Sequence, residues 1–284
     1  MRKILICTDL DRTLIPNGRQ DETPGVRDIF SRLVARDDVT LAYVSGRHRG
    51  LIQQAIKDYG LPAPDFAIAD VGTTIYHMEG SAWLHWQPWE DDIGGDWCGH
   101  RADTLHNLVY GLPGLRMQEL DKQNTHKLSY YVDLGEDSDA VIQDVEARLG
   151  ANGIRPKVIW SVDEEQDVGL LDILPARASK RHAIEFLMAS EHYDADHAVF
   201  SGDSGNDLDV ILSPIHSTLV ANADDDVRAA VAEADPDNTY IAQGGFFGLN
   251  GNYAAGILEG VAHFCPEFEP VIADLIPPDF GAAA

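Results

Sequence analysis

Basic residues are scarce in this chain. Lysine and arginine together number 21 against 47 aspartates and glutamates, a formal net charge of −26 at pH 7. A surface so short of positive charge repels nucleic acid and anionic membranes, and neither is expected as a partner. It also repels phosphorylated molecules at long range, so any phosphate site must supply its own local cations. Solubility and adaptation to a salty cytoplasm both account for such a surface. Cysteine is nearly as scarce. Cys7, Cys98 and Cys265 are odd in number and far apart, which excludes a disulfide framework and a thiolate metal spacing, and agrees with a reducing compartment. No apolar run approaches the roughly 18 to 20 residues of a membrane span. The short apolar start, Met1 to Ile6, leads directly into Asp9 and Asp11 without a small-residue cleavage site, so it reads as a buried first strand and not a signal peptide. The expected location is the cytoplasm. Internal repeats and low-complexity tracts are absent, and the sequence specifies no oligomeric state.

What remains is an ordinary globular composition, 44% hydrophobic and 24% charged over 284 residues, long enough for a large core plus a smaller domain. Lys3 to Thr8 is a continuous apolar strand of the kind covered on both faces. Thr23 to Arg36 is expected as a helix with Thr23 as N-cap and Pro24 at its first position. Strand Thr40 to Val44, helix Arg49 to Tyr59 with a stop at Gly60, and strand Phe66 to Ala69 complete a β-α-β-α-β run, which implies a parallel sheet with right-handed crossovers. The pattern changes between Ser81 and Asp167, where Trp83, Trp86, Trp89 and Trp97 cluster, Lys127 to Asp133 alternates with two distinct faces, Asp139 to Leu149 is an amphipathic helix, and Pro156 to Ser161 is a further strand. This stretch is expected to be an inserted α+β unit.

The alternation then resumes: strand Leu170 to Leu174, helix Ser179 to Ala189, strand His197 to Phe200, a helix from Asn206, strand Ser217 to Val220, helix Asp224 to Ala232, strand Tyr240 to Ala242, and helix Tyr253 to His263. The proline-rich tail after Phe264, ending Gly-Ala-Ala-Ala, is expected to be an edge segment or partly disordered. The expected fold is α/β, with a Rossmann-like parallel-sheet core over residues 1–80 and 170–284 and a cap at 81–169.

Four strand ends carry residues suited to phosphate chemistry. Asp9, Asp11 and Thr13 follow the first strand, and the carboxyl ends of parallel strands are where ligands bind. Two carboxylates two residues apart can divide attack on phosphorus and proton transfer between them, and their mutual repulsion calls for a hard cation with oxygen ligands. A turn or a helix cap accounts for the same pair. Ser45 and Gly46 open a helix after the second strand, where a hydroxyl and free N–H groups seat a phosphate or simply cap the helix. Asp203, Asn206 and Asp207 lie in a glycine-flanked loop at a helix start, a place that stabilises acids with or without a metal. Lys180 begins the helix after Leu170 to Leu174, as a phosphate-neutralising ammonium or a surface lysine. The order of these four, more than any one of them, points to chemistry.

In that order they resemble the haloacid dehalogenase superfamily of phosphatases: Asp9-Leu10-Asp11-Arg12-Thr13, then Ser45, Lys180, and Gly202-Asp203 with Asp207. The resemblance implies Asp9 as nucleophile, Asp11 as general acid and base, and Thr13 as support for the loop. It implies Thr13, Ser45, Gly46, Lys180 and Asn206 as the phosphate seat. Mg2+ would be held by Asp9, the backbone carbonyl of Asp11, and Asp203, with Asp207 as a ligand or a support. An insert between Ser45 and Lys180 resembles the type C2 cap. The segments Asp70 to His77, Lys127 to Tyr131, Asp167 to Leu171 and Tyr253 to Phe264 resemble the sucrose-phosphate phosphatases, so the likeness runs to about Phe264. Arg12 departs from that pattern, standing where those enzymes carry asparagine. Ser179-Lys180-Arg181 replaces a Lys-Gly pair, and Gly244 to Asn252 and the tryptophan-rich stretch match poorly.

The expected activity is Mg2+-dependent hydrolysis of a small sugar phosphate, sucrose 6-phosphate or a related glycosyl phosphate, through an aspartyl phosphate. The alternatives are a sugar phosphomutase and a catalytically silent sugar-phosphate-binding module. Lys127, Ser129 and Tyr131 share one face of the alternating cap strand and are expected to meet the sugar, with Asp167 a further candidate. Solvent contact is the other use of that face.

Overall fold

A computed structural model describes residues 3–163 and 166–277. The core opens with β1 (Ile4–Thr8), α1 (Val26–Val34), β2 (Val39–Val44), α2 (Arg49–Tyr59), β3 (Phe66–Ala69), β4 (Thr74–Glu79), β5 (Ala82–His85) and α3 (Gln87–Gly94). The cap contributes α4 (Ala102–Val109), β6 (Arg116–Met117), β7 (Leu128–Val132), α5 (Ser138–Gly150), β8 (Pro156–Asp163) and β9 (Val168–Pro175). The core closes with α6 (Lys180–Ser190), β10 (Ala198–Gly202), α7 (Leu208–Ile211), β11 (His216–Leu219), α8 (Asp225–Val231), β12 (Thr239–Ile241), α9 (Ala254–Phe264) and α10 (Glu269–Leu275).

The main sheet runs β12-β11-β10-β1-β2-β3-β4-β5. All pairs from β12 to β3 are parallel, and β4 and β5 are added antiparallel. Alternate residues of β1 serve two cores. Ile4 and Ile6 pack with α1, α2, α9 and α10, while Leu5 and Cys7 pack with α3, α6 and α7. A strand buried on both faces has no polar side to display, which is why its sequence is continuously apolar. Chain order reverses at β1, with β2 on one side and β10 on the other. The loops leaving these strands diverge there and open a crevice at their carboxyl ends.

The cap is an antiparallel sheet, β6-β7-β9-β8, with α4 and α5 on one face. Leu128, Tyr130 and Val132 of β7 and Leu171 and Ile173 of β9 bury that face in a hydrophobic cluster of the cap's own. Core and cap are joined by two passages that one carboxylate ties together. Asp96, with no exposed surface, accepts from the backbone N–H of Arg177 at 2.8 Å and pairs with the guanidinium groups of Arg155 and Arg177. An unpaired carboxylate so deep would cost several kcal/mol, about 3–5 on removal of a partner. The passages are therefore held in fixed relation.

Four expectations are corrected. Residues 82–85 pair with β4 in the main sheet, and Trp89 and Ile93 of α3 belong to the core cluster, so the cap's cluster begins only at Trp97. Leu170 to Leu174 lies in β9, a cap strand, not a core strand. Its run is broken by Asp172 alone, and a nearly apolar antiparallel strand reads like a parallel one. Helix α1 starts at Val26 after Gly25 at φ 79°, and Thr23 instead accepts from the Asn250 N–H at 3.1 Å. The stretch after Phe264 folds as a short turn and α10, with Phe268 and Ile272 buried against α1 and α9. The expected order of Met1, and of the tail from 278 on, lies outside the described residues.

Candidate active site

Asp9 leaves β1 with its N–H bonded to the Ser201 carbonyl of β10 at 2.9 Å, so the two strand ends are stitched at the crevice floor. Lys180, at the start of α6 and 2% exposed, lies across that floor. Its ammonium stands 3.1 Å from Asp9 Oδ1 and donates to Asp207 Oδ1 at 2.7 Å and Asn206 Oδ1 at 3.0 Å. Burial alone would weaken its hold on the proton, but Asp9 and Asp207 more than reverse that and favour the ammonium. Burial also pushes the Asp9 carboxyl up, with Lys180 pulling against it and Asp207 adding to the rise. Although the sequence places Lys180 after a cap strand, the return from the cap brings it into the core. Gly72 makes room for it. At φ 90°, a Cβ there would come 2.4 Å from the Ser179 carbonyl group, so only glycine admits this approach.

Asp207 is fully buried. Its Oδ2 accepts from the N–H groups of Asp203 and Ser204 at 3.1 and 3.2 Å, which shapes the glycine-flanked loop. A Cβ on Gly202 would strike this carboxylate at 2.6 Å. Asp203, 2% exposed, receives the Thr13 hydroxyl on Oδ1 at 3.2 Å, while its buried Oδ2 accepts no hydrogen bond. Burial and then Asp207 push Asp203 up to about 6. Asp9, Asp203 and Asp207 each offer an oxygen, and these lie within 4.8 Å of one another. Three buried carboxylates, one with an oxygen that accepts no hydrogen bond, form a donor set that fits a hard divalent cation such as Mg2+. The Asp11 side chain is outside that group, leaving its backbone carbonyl as the suggested contribution.

Asp11 faces the crevice rim. Arg47 holds it with two hydrogen bonds, 2.7 and 2.6 Å, and Asn17 adds a third at 2.7 Å. Burial raises its proton affinity, but these contacts outweigh burial and leave the carboxyl below its usual range. Ser45 is buried, its hydroxyl accepting the Arg47 N–H at 3.2 Å. Gly46 and Asn206 line the same cavity of about 330 Å3 with Asp9, Asp11, Ser45 and Asp203. All nine expected core positions are thus brought together. Arg47 and Asn17 were not singled out. Arg47 directly follows Ser45-Gly46, and that placement was the available signal.

On the cap, the face opposite the hydrophobic cluster carries Lys127, Ser129 and Tyr131. Ser129 sits opposite Asp172 of β9 and donates to its Oδ1 at 2.5 Å, and Lys127 stands 3.6 Å from Asp172 Oδ2. Tyr131 donates to Glu119 at 2.8 Å, and the Arg116 guanidinium lies over its ring at 4.5 Å. Asn124 reaches down to the core hydroxyls of Thr73 and Thr74 at 3.0 and 3.3 Å. Asp70, buried beneath, is pushed up by burial and drawn back by the charge of Lys127. The Lys127 end of this polar face therefore meets the core. Asp167 does not join it: it is exposed in the β8–β9 turn at φ 52°. The carboxylate on this face is Asp172 instead. A lone carboxylate between Leu171 and Ile173 was the clue.

The chain is similar to several known proteins. The family model described as sucrose-6F-phosphate phosphohydrolase matches residues 2–265. A "putative HAD-like hydrolase" of Nitrosococcus oceani is 52% identical over 94% of this chain, which spans 73% of that protein. The mannosylfructose-phosphate phosphatase of Agrobacterium fabrum is 30% identical over 92% of this chain and 96% of its own length. The chain spans 59% of sucrose-phosphatase 1 of Nicotiana tabacum, to which it is 28% identical. Among solved structures, the sucrose-phosphatase of Synechocystis in complex with sucrose and phosphate superposes with a TM-score of 0.68 and 28% identity, covering 93% of this chain and 98% of that one.

Proposed function

The chain belongs to the sucrose-6F-phosphate phosphohydrolase family of phosphoric monoester hydrolases, and we propose that it is a Mg2+-dependent phosphatase of a small glycosyl phosphate, with sucrose 6-phosphate first among candidates. The observation that carries this reading is the meeting of Asp9, Lys180, Asp203 and Asp207 at the point where the sheet order reverses. Phosphoryl transfer asks mainly for positioning and charge neutralisation, and this cluster supplies both.

In the proposed course, an Asp9 oxygen attacks phosphorus as the bond to the sugar oxygen breaks. The sugar oxygen leaves with a proton from Asp11, and Asp9 becomes an acyl phosphate. Asp11 then takes a proton from water as the water oxygen attacks phosphorus, which releases phosphate and restores Asp9. Lys180 draws Asp9 towards its ionised form, against burial, and aims it. The Ser45 hydroxyl and the backbone at Gly46 receive phosphoryl oxygens. The Arg47 pair holds Asp11 as the carboxylate that accepts from water. Acting first as the acid requires Asp11 to leave that pair, because a clamped carboxylate binds a proton poorly. Asp9, Asp203, the Asp11 carbonyl and, directly or through support, Asp207 would hold Mg2+, which supplies neutralisation of phosphoryl charge. Lys127, Ser129 and Asp172 would hydrogen-bond sugar hydroxyls.

A panel of sugar phosphates, including sucrose and mannosylfructose phosphates, tests the reading by Mg2+-dependent phosphate release. Isomerised sugar phosphate without free phosphate would indicate a mutase, and absence of turnover across the panel a binding module.

A further inference from the structure

Arg12 sits inside the catalytic motif in a conformation that side chains seldom adopt, φ 56°. The backbone is pinned on both sides: its N–H donates to Asn17 Oδ1 at 2.8 Å and its carbonyl accepts from Asn222 at 2.6 Å. This pose turns the guanidinium to the metal cradle. Nε lies 3.3 Å from Asp203 Oδ2, the buried oxygen that no hydrogen bond satisfies, and Nη2 donates to Asp224 Oδ1 at 2.9 Å. Asp224 precedes α8 but does not cap it with its side chain; its carboxylate is turned to Arg12 instead.

We propose that Arg12 is a positioning cation of the metal cradle, which holds divalent-metal affinity down until a phosphate dianion shares the pocket. The proposal rests on the reading of Asp9, Asp203 and Asp207 as that cradle. Those three carboxylates meet two fixed cations, Lys180 and Arg12. One negative charge is left, and a divalent ion turns the cradle positive, a state that a phosphate dianion relieves. Without Arg12 the same ion would reach neutrality alone, and the dianion would bring excess negative charge. Arg12 therefore shifts preference from metal alone to metal with phosphate, and by linkage each of these two ligands tightens the other. Asp224 tempers the effect by sharing the guanidinium.

Calorimetric titration of Mg2+ into the protein, with and without inorganic phosphate, reads this coupling without turnover. Arg12→Asn suits the test because asparagine tolerates the left-handed backbone. It is expected to bind Mg2+ roughly tenfold tighter in the absence of phosphate, with a smaller gain on adding phosphate. Arg12→Lys should stay close to the wild type. Asp224→Asn, which leaves the guanidinium charge unshared, should weaken Mg2+ binding. A structural role alone would move Arg12→Asn and Asp224→Asn in the same direction. Arg12→Asn binding no tighter than the wild type, or both variants weakening alike, overturns the proposal. Failure of the wild type to bind Mg2+ under either condition overturns the metal reading, and this inference with it.

Discussion

Core and cap both gather charged side chains at the crevice, but they hold them differently. In the core, Lys180 and Asp207 are almost wholly buried, and their partners are fixed at the end of β1, in the loop after β10 and at the start of α6. In the cap, Lys127 keeps some exposure and meets Asp172 at the looser distance of 3.6 Å, while Ser129 and Asp172 satisfy each other. Buried charges are costly to leave unpaired, so the core set is rigid by necessity. Partly exposed pairs are worth little and exchange partners cheaply. On the proposed reading, chemistry that needs one geometry sits on the rigid set, and recognition of sugar hydroxyls on the set that can open to admit them.

The comparison breaks most sharply at Asp9. Asp9→Asn should lower turnover by roughly 10^4-fold or more on every substrate, since it removes the attacking group, while circular dichroism stays that of the wild type. Substantial turnover in a clean preparation would take the nucleophile's role from it. Next in size is the metal cradle. Chelator should abolish activity and added Mg2+ restore it, and Asp203→Ala should raise the Mg2+ needed for half-maximal rate by roughly tenfold to a hundredfold. Full activity after exhaustive chelation would exclude a metal. A smaller loss is expected at Gly72, which carries no chemistry. Gly72→Ala places a Cβ 2.4 Å from the Ser179 carbonyl and should destabilise the protein by about 2 kcal/mol. The Lys180 helix start must then shift, so activity should fall with the melting temperature. A variant of unchanged stability and rate would mean that this contact is not tight in solution.

The core was legible because its chemistry is local in sequence. Asp9, Asp11 and Thr13 share one turn, Asp203 and Asp207 another, and period and glycine placement put each at an element end. Arg47 escaped notice because its partner, Asp11, is 36 positions away and only the parallel pairing of β1 with β2 brings them together. The domain boundary was misplaced for a related reason. The tryptophans that looked like one cluster divide among three: Trp83 packs on one core face, Trp86 and Trp89 on the other, and Trp97 in the cap. Composition shows that such residues will be buried, not against what. Asp172 was hidden in β9, where one carboxylate among leucines and isoleucine reads as a flaw in a core strand until β7 is seen beside it.

The smallest effects sharpen the cap side of the comparison, and they come as a pair. Lys127 sits at the core end of β7, against Asp172 and within electrostatic reach of Asp70. Asp167 sits in the turn joining β8 to β9, five residues before Asp172 and so roughly 16 Å along the strand from it. If the sugar lies between the cap face and the core, it meets the first and not the second. Lys127→Ala should then cost the preferred sugar phosphate about tenfold in kcat/KM, the worth of one charge-assisted hydrogen bond, and leave p-nitrophenyl phosphate within about twofold. Asp167→Asn keeps a residue that tolerates a positive φ and removes only the charge. It should leave both substrates unchanged. Equal losses on both substrates for Lys127→Ala would make that lysine a support of the fold and not a sugar contact. A selective loss on the sugar phosphate for Asp167→Asn would show that the hairpin turn, and not the face bearing Ser129 and Asp172, reaches the sugar.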